Sequence, residues 1–183
     1  MDIVDIYIET GNFHEAVRQS GLPTHIAHLE LIKSGCLKIQ DKIQYGSRGA
    51  KLGGLAEEEF QRLVPDAVDA NKYFQKNNPV YDFYLDGLTI DVKYSSLRND
   101  KSIKNGWGIN VRGKQDFIVA FLEKEKGAEL DDYFCLCIPM SFVTQKKLSF
   151  TKQNAYFKEF KIEPEELHPI LKEYASLKKE GFI

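Results

Sequence analysis

Apolar and polar residues alternate most regularly between Tyr81 and Lys93. Tyr81, Phe83, Leu85, Leu88, Ile90 and Val92 fall on one face of an extended chain, and Asp82, Tyr84, Thr89, Asp91 and Lys93 on the other. Asp86-Gly87 interrupts the alternation with a pair that tolerates positive φ, so the stretch is expected to form a tight antiparallel hairpin with its apolar face in a core. A two-residue turn at 86–87 sets Asp82 across from Asp91, with Lys93 on the same face. Further extended runs at Trp107 to Val111, Phe117 to Leu122 and Tyr133 to Ile138 are expected strands, and Glu123 to Asp132 reads as a charged turn. Upstream, Lys51 to Pro65 reads as a short helix opened by Gly53-Gly54 and stopped near Pro65. Glu57, Phe60 and Val64 share one face of it, while Glu58 and Glu59 read as solvated. Glu165 to Lys179 reads as an amphipathic helix with Leu167, Ile170, Leu171, Tyr174 and Leu177 on its apolar stripe.

The first 45 residues follow a separate, helical pattern. Asp2 to Glu9 suggests a helix with Ile3, Ile6 and Tyr7 on one side, and Asn12 is placed to cap a second helix over Phe13 to Ser20. Gly21-Leu22-Pro23 makes a turn, and Thr24 is placed to cap a third helix ending at Ser34-Gly35. Two short helices around a glycine turn resemble a helix-turn-helix or winged-helix module, which would put His25 and His28 near nucleic acid. The other reading is a small helical cap or partner-binding module. A polar linker over 40–54, with Lys42, Arg48 and Lys51, joins this part (1–45) to the rest (46–183).

Composition narrows the class without changing the pattern. The chain has 183 residues, 43% hydrophobic and 12% aromatic, enough for one mid-sized core and an appendage. There is no run of about 18 apolar residues, so no membrane span is expected. The acidic start Met1-Asp2-Ile3-Val4-Asp5 is unlike a signal peptide, and three cysteines suit a reducing compartment, so a cytoplasmic location is the expectation. Cys135 and Cys137 sit in an apolar run and read as core residues. The net charge of −2 lacks a global basic signature, yet Arg98, Lys101, Lys104, Arg112 and Lys114 cluster after Lys93 against Asp100 alone. That segment is a candidate contact for phosphates, or else a solvated loop.

Two opposed carboxylates on one sheet face repel. A hard divalent cation compensates that repulsion and takes oxygen ligands, often only one or two of them protein carboxylates. A solvated polar face with a weak ion pair is the competing account. Gly53-x-x-Ala56-Glu57-x-x-Phe60, then Asp82, then Asp91-x-Lys93, resembles the PD-(D/E)XK, or restriction-endonuclease-like, nuclease superfamily over about residues 50 to 140. Two positions depart from its pattern: Tyr81 stands where proline names the motif, and Asp91 where glutamate is commoner.

The resemblance implies an α/β fold, a mixed sheet flanked by helices, carrying a small N-terminal helical module. It implies a Mg²⁺-dependent DNA endonuclease, with Mn²⁺ as a substitute ion, whose catalytic set is Glu57, Asp82, Asp91 and Lys93. Asp82, Asp91 and the Val92 main-chain carbonyl would hold the metal, with Glu57 acting through water. Ser95 shares the Lys93 face and reads as an assistant or an exposed polar residue, and Asp116 reads as structural. The alternatives are a catalytically silent DNA-binding or regulatory protein, and an RNA or junction nuclease. A homodimer would suit double-strand cleavage by one site per chain, and no interface is legible in the sequence.

Overall fold

The computed structural model describes residues 2–41, 43, 48–70 and 81–182. They cluster into two compact units, Met1–Ala50 and Lys51–Ile183.

In the first unit, α1 (Ile3–Thr10), α2 (Phe13–Ser20) and α3 (Thr24–Lys33) enclose a small core of Ile3, Ile6, Phe13, Ala16, Ala27, Leu31 and Leu37. The Asn12 side chain accepts from Glu15 N, so the expected cap of α2 forms. Thr24, expected to cap α3, is instead its first residue. Pro23 takes the cap position with no side-chain bond, because its fixed φ suits a helix entry. Of the expected linker, residues 42 and 44–47 lie outside the described residues.

The second unit is a mixed α/β assembly. Its six-stranded sheet has the order β1-β2-β3-β5-β6-β8, formed by Val68–Asp69, Phe83–Leu85, Leu88–Ser95, Phe117–Glu123, Tyr133–Pro139 and Lys161–Ile162. β3 and β5 are parallel, and every other pairing in it is antiparallel. The expected strands at 117 and 133 appear there. The one at 107 forms β4 (Gly106–Asn110), which pairs with β7 (Lys147–Thr151) in a separate two-stranded sheet.

Strand alternation sorts the side chains into two cores. Phe83, Leu85, Leu88, Ile90 and Val92, with Val119 and Phe121, meet Ala56, Phe60 and Val64 of α4 (Arg48–Leu63) and Leu167, Leu171 and Ala175 of α6 (Leu167–Lys179). On the opposite face Ile118, Ala120, Leu122, Leu136 and Ile138 meet Trp107, Ile109, Leu148, Phe150 and Phe157, the last from α5 (Ala155–Phe160). β5 is buried along its whole length, as befits a central strand covered on both faces.

Four expectations change here. Gly53 and Gly54 lie inside α4 rather than at its start; a Cβ on either would meet nothing within 4 Å, so close packing does not require them. Leu177 is 42% exposed, because the buried stripe of α6 passes through Ala175 instead. Glu59 is not simply solvated: it pairs with Arg62 and accepts from the Tyr133 hydroxyl at 2.6 Å. Glu123 ends β5 as a buried carboxylate instead of opening a turn. Cys135 and Cys137 are buried in the first sheet core, and desolvation raises both thiols, Cys137 to about 12, which keeps them unreactive. Among the described residues no helix is long and apolar enough to cross a membrane.

Candidate active site

The hairpin closes through Asp86 (φ 47°) and Gly87 (φ 99°), both left-handed as a primed turn requires. Its rungs are Phe83↔Ile90, Tyr84↔Thr89 and Leu85↔Leu88. The ladder changes at its open end. Asp82 N donates to Ile90 O at 2.9 Å, so Asp82 and Phe83 both face Ile90, and the expected rung between Asp82 and Asp91 is not made. This is bulge geometry, which re-aims a side chain. The Asp82 carboxylate then takes the place of a strand partner: its Oδ2 accepts from Val92 N at 2.8 Å. A strand residue's N–H and C=O point to the same side, so the Val92 carbonyl is directed toward Asp82 as well.

Asp91 projects from β3 onto the face opposite Val92 and is only 5% exposed. Its Oδ2 lies 3.0 Å from Lys93 Nζ and accepts from Gln115 Nε2 at 3.3 Å. Burial, followed by the contact with Asp82, pushes its pKa well above the usual carboxylate range against the pull of Lys93. Glu57 reaches the same cluster from α4. Burial, then the charges of Asp82, Asp69 and Asp91, raise it to about 7, and Lys93 opposes the shift. The structure therefore brings Glu57, Asp82, Asp91 and Lys93 into one electrostatic neighbourhood.

Two members of this neighbourhood carry no signal in the sequence pattern. Asp69 arrives on β1, paired with Phe83 of β2. Gln115 lies two residues before β5; it is 4% exposed, and its Oε1 is buried without a hydrogen-bond partner among the described residues. A cluster of hard oxygens with an orphaned amide oxygen suits a Mg²⁺-type ion, which keeps much of its water. Among the described residues no three His, Cys, Asp or Glu groups enclose an ion, so the fit is to a site built on the Asp82 and Asp91 pair and not to an all-protein cage.

The other candidates are placed differently. Lys101, Lys104, Arg112 and Lys114 are exposed, whereas Arg98 pairs with Asp100 at 2.9 Å and its backbone bridges to Gly106. Ser95 is buried and accepts from Gly108 N at 3.1 Å, so it ties β3 to β4 and is not a free polar residue. Asp116 accepts from Thr89 N and Oγ1 and pairs with Lys178, a structural set of contacts. In the N-terminal unit His25 is exposed, while His28 packs edge-on to Phe13 with ring centroids 5.9 Å apart.

The raised Glu57 carboxyl has a consequence for stability. A carboxyl that binds its proton more tightly when folded lowers stability as pH rises from its unfolded value near 4.5 to about 7. Glu57→Gln removes that cost. Without metal at pH 8 the variant is expected to be more stable by about 1 kcal/mol, allowing for screening of a half-buried group, with the gain vanishing below about pH 4.5. Urea melts at the two pH values check this, and an equal gain at both would mean that Glu57 is not perturbed.

No protein-family model and no curated relative matches the chain. Among solved structures it is similar to a bacterial homing endonuclease, I-Ssp6803I, at 16% identity and a TM-score of 0.49, over 72% of this chain and 99% of that one.

Proposed function

We propose that the chain is a Mg²⁺-dependent nuclease of the PD-(D/E)XK type that hydrolyses phosphodiester bonds in DNA. The observation that carries this reading is the meeting of Asp82 and Asp91, with Lys93 at 3.0 Å from Asp91 and Glu57 within the field of all three, so that two carboxyl groups are held above their ordinary pKa. Perturbed carboxylates around a single ammonium are costly to maintain and mark a site with work to do.

Asp82, Asp91 and the Val92 carbonyl would hold the ion, with Glu57 reaching it through water. When bound, the ion supplies Lewis-acid polarisation of the phosphate and a more acidic water. Lys93, two residues along β3 from Asp91, orients water and stabilises charge on the phosphoryl oxygens. The bond from Asp82 to Val92 N–H fixes one carboxylate to the strand that bears the other, so their separation is preorganised. Gln115 steadies Asp91 from the segment that leads into β5. Gln115→Leu is expected to lower cleavage about tenfold and to change stability by no more than about 1 kcal/mol, since it removes an unpartnered carbonyl together with one hydrogen bond. Single-turnover cleavage and a thermal melt measure the two effects, and a parental cleavage rate would leave Gln115 without a role.

A second reading is a silent DNA-binding protein that keeps the fold, with helices α2 and α3 of the N-terminal unit as its reader. The ion pair of Lys93 with Asp91 favours it, because that carboxylate already has a cation. Incubation with plasmid, linear, branched and single-stranded DNA, and with RNA, in Mg²⁺, Mn²⁺ and EDTA separates the two. Metal-dependent cutting of DNA supports the nuclease. Binding without cutting supports the silent protein, and cutting confined to RNA overturns the choice of DNA.

A further inference from the structure

Three ammonium groups converge on one ring. Lys124, Lys152 and Lys161 lie 5.1, 5.6 and 5.7 Å from the Phe134 centroid, so no two of them are more than about 11 Å apart. They come from three strand ends: Lys124 follows β5, Lys152 follows β7 and Lys161 opens β8. Beside them is a cleft of about 420 Å³ whose polar lining is Lys104, Asn105, Lys124, Lys152 and Gln153. Among the described residues, the only ion pair these lysines make is that of Lys124 with Asp132, at 3.1 Å. A chain of net charge −2 thus carries four lysines at or beside one concave place, where the field attracts an anion.

We infer that this cleft is a second phosphate-binding subsite, one that grips the backbone of the DNA whose phosphodiester reaches the Asp82 and Asp91 face; the inference rests on the nuclease reading. The register of the sheet supports the connection. Lys93 pairs with Ala120 and Ser95 with Leu122, which puts Lys124 four residues beyond the level of Lys93 on the adjacent parallel strand. Alternation keeps the two on the same side of the sheet. At about 3.3 Å per residue the separation along the strands is roughly 13 Å, a distance that one DNA backbone spans. A free phosphate needs far less room than this cleft offers. The amide groups of Asn105 and Gln153 add donors suited to sugar and phosphate oxygens.

The test is a salt titration of binding to a fluorescein-labelled DNA duplex of about 20 base pairs, in EDTA so that nothing is cut, between about 50 and 200 mM salt. The full chain is compared with a Lys104→Gln/Lys152→Gln variant, both residues lining the cleft, and with Lys179→Gln, an exposed lysine on α6. The double variant is expected to lower the slope of log affinity against log salt by about 1 for each lysine, and Lys179→Gln to leave it unchanged. An unchanged slope in the double variant, an equal drop for Lys179→Gln, or no binding by the parent overturns the subsite. So does lysine-dependent binding to phosphatidylserine vesicles with an unaltered DNA slope. Cleavage in Mg²⁺ is scored separately. A parent that cuts while its slope ignores the lysines loses only the subsite, and one whose slope obeys them but that never cuts loses only the nuclease reading.

Discussion

Lys93→Met is expected to lower DNA cleavage by about two to three orders of magnitude, the usual cost of removing one preorganised donor from developing charge, while DNA stays bound in EDTA. Methionine keeps the length and apolar stem of the lysine, so the loss would report the ammonium and not packing. Lys93→Arg should not restore the rate, because a planar fork cannot replace a compact point charge held 3.0 Å from Asp91 Oδ2. Asp91→Asn should fall at least as far, since it removes a carboxylate from the Asp82 and Asp91 pair while keeping a partner for Gln115. The pair of variants is informative because the effects should be far from additive: a double variant no slower than Asp91→Asn alone is the signature of groups acting as a unit. Single-turnover kinetics on a labelled duplex measure this, and a Lys93→Met protein that cuts at the parental rate removes Lys93 from the mechanism.

The hairpin was legible because two independent signals agreed in it. Period-two alternation chose the faces, and Asp86-Gly87 chose the turn. Phe83, Leu85, Leu88, Ile90 and Val92 accordingly occupy the core. The bulge at Asp82 was not legible, since a one-residue irregularity at a ladder's end leaves no mark on alternation. β7 and α5 were missed for another reason. Lys147–Thr151 buries only Leu148 and Phe150, and α5 is six residues long, too short for a helical period to show. Its one local signal was Asn154, whose side chain accepts from Tyr156 N as a cap. Asp69 joins the site only through pairing across the sheet, Gln115 only through its side-chain bond to Asp91, and the lysines around Phe134 only through three strand ends. Such juxtapositions belong to the topology.

Glu123 shows how much a misplaced boundary can hide. Read as the first residue of a charged turn, it would tolerate substitution. In the fold it is 3% exposed, and its two oxygens accept from Leu97 N at 3.0 Å, Gly127 N at 3.2 Å and Glu129 N at 2.8 Å. Gly127 (φ 95°) and Glu129 (φ 51°) both occupy the left-handed region, where a non-glycine residue is held only by its surroundings. Leu97 lies just past the end of β3, where the basic segment begins, so one carboxylate anchors both the loop after β5 and the exit of the strand that carries Asp91 and Lys93. Glu123→Ala leaves three backbone donors without their acceptor. At about 1 to 3 kcal/mol for each unsatisfied group, the expected loss is at least about 3 kcal/mol, a large part of the 5 to 15 kcal/mol, roughly, that holds a domain folded. Glu123→Gln should fall between, since one amide oxygen can still accept while the NH₂ meets other donors. Lys126→Ala, an exposed change in the same loop, should stay within about 0.5 kcal/mol. Urea unfolding of the three variants decides the matter. Equal midpoints for Glu123→Ala and Lys126→Ala would mean that the carboxylate holds nothing. A large loss confined to Glu123 would make the loop after β5 part of the scaffold on which the candidate site depends.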